Sequence, residues 1–242
     1  MADLVSQIRE RYEKTMERIA AAARAAGRDP REVQLVVVSK AQPLEVVQAA
    51  VQAGIRIFGE NYPEESVSKI LCFGPRSGVE WHMIGHLQSR KARLVIEHFD
   101  LLHSLDSVKL AERLERLAAE AGRTLPALLE FNVGGEESKY GWRAAHPQDW
   151  PAFYADVEAI LSLPHLRVLG LMTMPPLETD PAEARVHFRT LRLLRDHLAS
   201  RYPQADWRHL SMGTSADFEA AVAEGATLVR VGTAILGARP MR

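Results

Sequence analysis

The run VQLVVVSKAQP at residues 33–43 decides the architecture. Residues 33–39 are apolar or β-branched almost throughout, which suits a parallel strand buried on both faces rather than one with a wet side. Pro43, tolerated at a helix start, opens a helical pattern that runs to residue 53. The same strand-then-helix unit recurs along the chain. Further strands are expected at 55–59, 80–84, 100–104, 126–132, 166–172, 207–211 and 227–231, with helical patterns at 107–121, 150–161, 182–200 and 216–224. Eight such units predict an α/β protein with a single closed (β/α)8 barrel rather than an open doubly wound sheet. Upstream, Leu4, Val5, Ile8, Tyr12, Thr15, Met16 and Ile19 fall at spacings of three and four, so residues 3–26 read as an additional N-terminal helix stopped by Gly27. No linker or compositional break divides residues 1–242, and one domain is expected.

Composition excludes several classes of partner. The 242 residues carry 30 basic and 31 acidic side chains, a formal net charge of −1, so nothing asks for nucleic acid or an anionic membrane. The lone Cys72 permits no intrachain disulfide, which fits a reducing compartment. The first 27 residues are charged throughout, unlike a signal peptide, and no apolar run approaches the roughly 18 residues of a membrane helix. A cytoplasmic protein is expected. Lysine is scarce (14, 40, 69, 91, 109 and 139) and asparagine occurs only at 61 and 132. A lysine or asparagine kept against that bias suggests a specific chemical need.

Barrel chemistry belongs at the C-terminal ends of the strands. Lys40 follows the first strand directly, and its amine would point into the barrel mouth, where desolvation favours the neutral form that a Schiff-base lysine needs. Position alone equally allows a lysine that caps the next helix or pairs with a carboxylate. LSMGTSADF (210–218) and VRVGTAILG (229–237) leave strands 7 and 8 through small-residue turns into helices, the usual barrel phosphate loops. Arg230 is expected to point inward from strand 8, toward a phosphate, a carboxylate or a ring nitrogen, or into a structural ion pair. His82 and His86 have no third ligand nearby in sequence and argue weakly for metal. No G-x-S-x-G elbow and no G-x-G-x-x-G after the first strand are present.

Seven segments taken together resemble the pyridoxal phosphate homeostasis protein family: VVVSKAQP (36–43), IRIFGENYPEE (55–65), EWHMIGHLQSRKAR (80–93), HSLDS (103–107), LLEFNVGGEESKYGW (128–142), LGLMTM (169–174) and residues 210–237. The resemblance implies the barrel of alanine racemase and the cofactor pyridoxal 5′-phosphate (PLP). It implies that Lys40 holds PLP as a Schiff base, that Asn61 lines the ring, and that Ser211, Gly213, Gly232 and Thr233 hold the phosphate. Arg230 would approach the pyridine nitrogen. Arg90, Thr214 and Pro63 depart from the commoner family pattern, and none is an expected cofactor contact.

The resemblance also implies a carrier or regulator of intracellular PLP, with PLP and PLP-dependent client enzymes as partners; a monomer is expected. A cation beside the ring nitrogen makes the ring a weak electron sink. Racemisation needs a second base opposite Lys40. In alanine racemases a tyrosine from a C-terminal β domain supplies it, and no segment for such a domain follows the barrel in this sequence. An amino-acid racemase is the alternative, and an unrelated barrel enzyme acting on a phosphorylated aldehyde a second one.

Overall fold

The computed structural model describes residues 2–74, 77–176 and 181–239. Helix α1 (Ala2–Ala25) precedes strand β1 (Gln34–Val38), and the chain then alternates α2 (Leu44–Gln52), β2 (Ile57–Glu60), α3 (Pro63–Phe73), β3 (Glu80–Met83), α4 (Ala92–His98), β4 (Leu101–Leu105), α5 (Val108–Glu120) and β5 (Leu125–Asn132). After the two-residue strand β6 (Trp142–Arg143) come α6 (Tyr154–Leu161), β7 (Leu166–Met172), α7 (Pro181–Arg201), β8 (His209–Ser211), α8 (Phe218–Ala223), β9 (Leu228–Val231) and α9 (Thr233–Leu236). Every pairing is parallel. The strands run in the order β4-β3-β2-β1-β9-β8-β7-β5-β6, and a β4–β5 pairing closes the circle. The eight expected strands therefore form the expected closed barrel, with β6 attached outside it on β5.

Two differences from the sequence reading have local causes. Residues 147–153 form a 3-10 segment before α6, because Pro151 has no N–H to continue an α-helical ladder. Strand β6 was not expected, since two residues give no alternating pattern to read.

Strand alternation explains the inside and the outside of the barrel. On β1, Leu35 and Val37 face the helices, while Val36 joins Leu101, Leu128, Met172 and Leu228 in a small interior cluster. Carrying that parity forward places Val38 and Lys40 on the interior side and Ser39 on the helix side. On β9 the same rule sends Val229 and Val231 outward and Leu228 inward, with Arg230 on the inner face. Helix α1 packs on α2, α8 and α9 through the expected stripe, with Ile8, Thr15 and Ile19 buried. Gly170 (φ 141°) lies where β7 meets β8, and a Cβ there would sit 2.0 Å from the His209 carbonyl oxygen.

Candidate functional site

Lys40 stands at the top of β1 in a turn closed by the Gln42 N–H donating to the Ser39 carbonyl at 3.1 Å. The next residue, Ala41, has φ 57°, alone among the described non-glycine residues in taking a positive value. A left-handed alanine costs roughly 1–2 kcal/mol, so the fold holds a strained turn directly after this lysine. The side chain enters a cavity of about 150 Å³ lined by Lys40, Asn61, Ile84, Met174, Arg230 and Thr233, among others. Val38, Gly232, Thr214, Ser215 and Arg239 complete its wall, beside the loops that follow β8 and β9. Burial lowers the Lys40 pKa, and the Arg239 and Arg230 cations lower it further against the opposing pull of Glu60. Its amine is thereby biased toward the nucleophilic neutral form.

Of the seven site residues expected from sequence, Lys40, Asn61, Arg230, Gly232 and Thr233 share this one cavity. Ser211 and Gly213 do not line it. The Ser211 hydroxyl is fully buried and accepts a hydrogen bond from Arg230 Nη1. Gly213 (φ 92°) packs against α8, where a Cβ would meet that of Ala221 at 2.6 Å, and its carbonyl accepts from the Arg230 N–H at 3.0 Å. Both act beneath the site, by fixing Arg230 and the β8 loop.

Arg230 is 4% exposed and also donates through Nη2 to the Thr173 carbonyl at 2.9 Å and to Met174 Sδ at 2.9 Å. Burial brings its pKa down to about 10, so it remains a cation at neutral pH. Asn61 Oδ1 is buried with no hydrogen-bond partner, an acceptor left for a bound molecule. In the β8 loop, Asp217 Oδ1 accepts from both the Thr214 N–H (2.5 Å) and hydroxyl (3.0 Å). That carboxylate occupies the Thr214 donors, and among the donors on this wall it leaves the Ser215 and Thr233 hydroxyls and the α9 start. The T-x-x-D spacing of Thr214 and Asp217 was legible as a helix-start pattern and went unread. Arg239 and Met174 were missed too. Arg239 gives no motif, and Met174 lies just past a strand end whose preceding residues attracted the reading.

A wider cavity of about 410 Å³ adjoins the first, sharing Asn61, Ile84 and Met174, and is lined further by His86, Glu130, Lys91, Lys139 and Tyr140. His86 stacks on Tyr140 at 3.6 Å and pairs with Asp106 at 3.0 Å. His82 points instead into the barrel, toward His103. The two histidines four apart in sequence thus serve different places. Asn132, although rare by type, holds the loop after β5: its Nδ2 donates to the Glu136 carbonyl, and its Oδ1 accepts from the Gly135 N–H. Pro63 is the first residue of α3, where its missing N–H is harmless, and Arg90 is exposed and bonds Gln88.

Glu130 is buried, and its Oε2 lacks a hydrogen-bond partner. Burial, reinforced by Asp106 and opposed by Arg230, raises its pKa from 4.5 to about 7. Because the folded state holds this proton more tightly than the unfolded chain, its contribution favours folding at low pH and is lost as pH rises from about 4.5 through 7. Glu130→Gln is expected to gain stability relative to wild type as pH increases over that window, measured by urea denaturation at pH 5 and pH 8. An equal stability difference at both values would contradict the assignment.

The alanine racemase N-terminal domain family model matches residues 12–240. The pyridoxal phosphate homeostasis protein of Vibrio alginolyticus is 41% identical over 239 residues, covering 97% of this chain and 99% of the relative. The chain belongs to the pyridoxal phosphate homeostasis protein family. PipY of Synechococcus elongatus, a structure with PLP bound, is 38% identical with a TM-score of 0.78, covering 92% of this chain and 99% of that one. Clostridium difficile alanine racemase shares the fold alone: 12% identity, TM-score 0.70, with 98% of this chain matched to 58% of the racemase. No helix among the described residues is long and apolar enough to cross a membrane.

Proposed function

We propose that this protein binds PLP as a Schiff base on Lys40 and acts as an intracellular carrier or regulator of the cofactor. The observation that carries the reading is the strained Lys40-Ala41 turn, which presents a burial-tuned amine in a cavity shared with Asn61, Arg230, Gly232 and Thr233. The residues fit the group. Asn61 offers an unused acceptor, and a Cβ on Gly232 would come within 3.0 Å of the Val38 carbonyl oxygen and crowd this wall. The Thr233 and Ser215 hydroxyls, with the first N–H groups of α9, would hold a phosphate. PLP supplies an aldehyde that condenses with an amine. Lys40 would supply that amine, and the Arg230 cation in the same cavity would disfavour protonation of the pyridine nitrogen and the electron-sink chemistry that depends on it.

PLP is the partner this site accounts for. A monomer resident in the cytoplasm and serving PLP-dependent client enzymes completes the reading. The racemase alternative requires a second base. The tyrosines near the mouth, Tyr62 and Tyr140, line the wider cavity and are exposed, so neither is held in place by burial.

Lys40→Ala is expected to abolish the visible imine absorbance of the PLP-loaded protein while leaving its thermal unfolding close to wild type, since Lys40 lies at the barrel mouth. An imine band of wild-type strength in the variant would place the link elsewhere. Turnover of alanine or serine by the wild-type protein at the roughly 1–1000 per second usual for enzymes would replace the carrier reading with the racemase one.

A further inference from the structure

Below the cavity a file of polar side chains runs down the barrel interior. Arg230 Nη1 donates to Ser211 Oγ, which lies 2.8 Å from His103 Nδ1. His103 Nε2 lies 3.0 Å from His82 Nδ1, and His82 Nε2 lies 3.7 Å from the Glu80 carboxylate at the start of β3. The four inner residues are at most 4% exposed, whereas the Glu80 side chain is 61% exposed. The file therefore connects the floor of the candidate site with solvent at the opposite, N-terminal end of the barrel.

The charged ends of the file favour one order of its donors. A guanidinium has donors and no acceptor, so Ser211 accepts from Arg230, and its own proton is then free to turn toward His103 Nδ1. His103 then carries its proton on Nε2 and donates to His82 Nδ1, which leaves the His82 proton on Nε2, facing a carboxylate. A cation at one end and an anion at the other favour the same polarity. Burial, reinforced by His82, Arg230 and His209 around it, pushes the His103 pKa well below its usual value and keeps the ring neutral. Arg230 also feels Glu130 and Asp217 from the neighbouring elements.

We propose that Ser211, His103 and His82 form a one-way hydrogen-bond relay that positions the Arg230 guanidinium beneath the cavity, with Glu80 as its outer terminus. These are positioning residues, acting through Arg230 without touching a ligand. Ser211 thereby takes a role different from the phosphate contact that the family resemblance implied.

The first test needs no cofactor. Ring-nitrogen NMR of the ¹⁵N-histidine-labelled protein should show His103 and His82 as Nε2–H tautomers at neutral pH, with His103 staying neutral through the mildly acidic range. An Nδ1–H tautomer at either residue, or ordinary titration of His103, overturns the relay. The second test rests on the PLP-binding reading. His103→Leu removes both links, whereas His103→Gln keeps one acceptor and one donor. The leucine variant should retain PLP about tenfold more weakly and shift the pH midpoint of the imine band, and glutamine should restore most of both. Equal loss in the two variants, or no loss in either, overturns it. If the wild-type protein retains no PLP, the proposed function fails and the tautomers alone decide the relay.

Discussion

Lys69→Met is expected to destabilise the protein by about 3–5 kcal/mol, the usual consequence of removing one partner of a buried ion pair. Lys69 and Glu60 are 7% and 1% exposed, 2.5 Å apart, and sit between β2 and α3 on the outer side of the barrel wall. Lys69 also donates to the Ser39 carbonyl at 3.0 Å, and the Glu60 carboxylate accepts from the Ser39 hydroxyl at 2.7 Å and the Ser66 hydroxyl at 3.1 Å. This cluster lies directly behind Lys40, so its loss should loosen the turn that presents the amine. Urea denaturation of both proteins measures the effect. Adding Glu60→Gln should recover part of it, because a neutral amide leaves no buried charge unpaired. A change below about 1 kcal/mol for Lys69→Met would show that the pair is not holding the strand end.

PLP is expected to be retained at least about a hundredfold more tightly than pyridoxal, since two charge-assisted hydrogen bonds to the phosphate contribute about 1.5–3 kcal/mol each. The donors available are the Ser215 and Thr233 hydroxyls and the first turn of α9, with Arg239 adding positive charge at the same wall. Asp217 works in the opposite direction by engaging the Thr214 donors. Asp217→Ala, which removes the acceptor, should therefore widen the preference for the phosphorylated vitamer. Equilibrium dialysis with both vitamers measures it, and equal retention of the two would remove the phosphate cradle from the account.

What the sequence made legible follows from how strands and loops differ. Lys40 was legible from its place directly after an apolar strand and Arg230 from its place near the end of the last one, while apolar residues on both faces of β1 and β9 left the parity itself to the structure. The closed barrel followed from eight repeats of one unit, strand ends drew attention to Lys40, Arg230, Gly232 and Thr233, and Asn61 entered through the family resemblance. Ser211 also sits at a strand end, but parity turns it toward His103 and Arg230, so a motif match could not distinguish support from contact. The Lys69–Glu60 pair was hinted at only by the rarity of lysine. It depends on α3 crossing β2, a tertiary fact with no sequence spacing of its own. Arg239 and Glu130 acquire their influence through space, on Lys40 and Arg230 respectively.

The central claim is covalent attachment at Lys40, and borohydride reduction of the PLP-loaded wild-type protein followed by peptide mass mapping tests it most directly. The account predicts a single pyridoxyl adduct on Lys40 at about one per chain. A principal adduct on Lys69, Lys91 or Lys139, or none on any lysine, would contradict it.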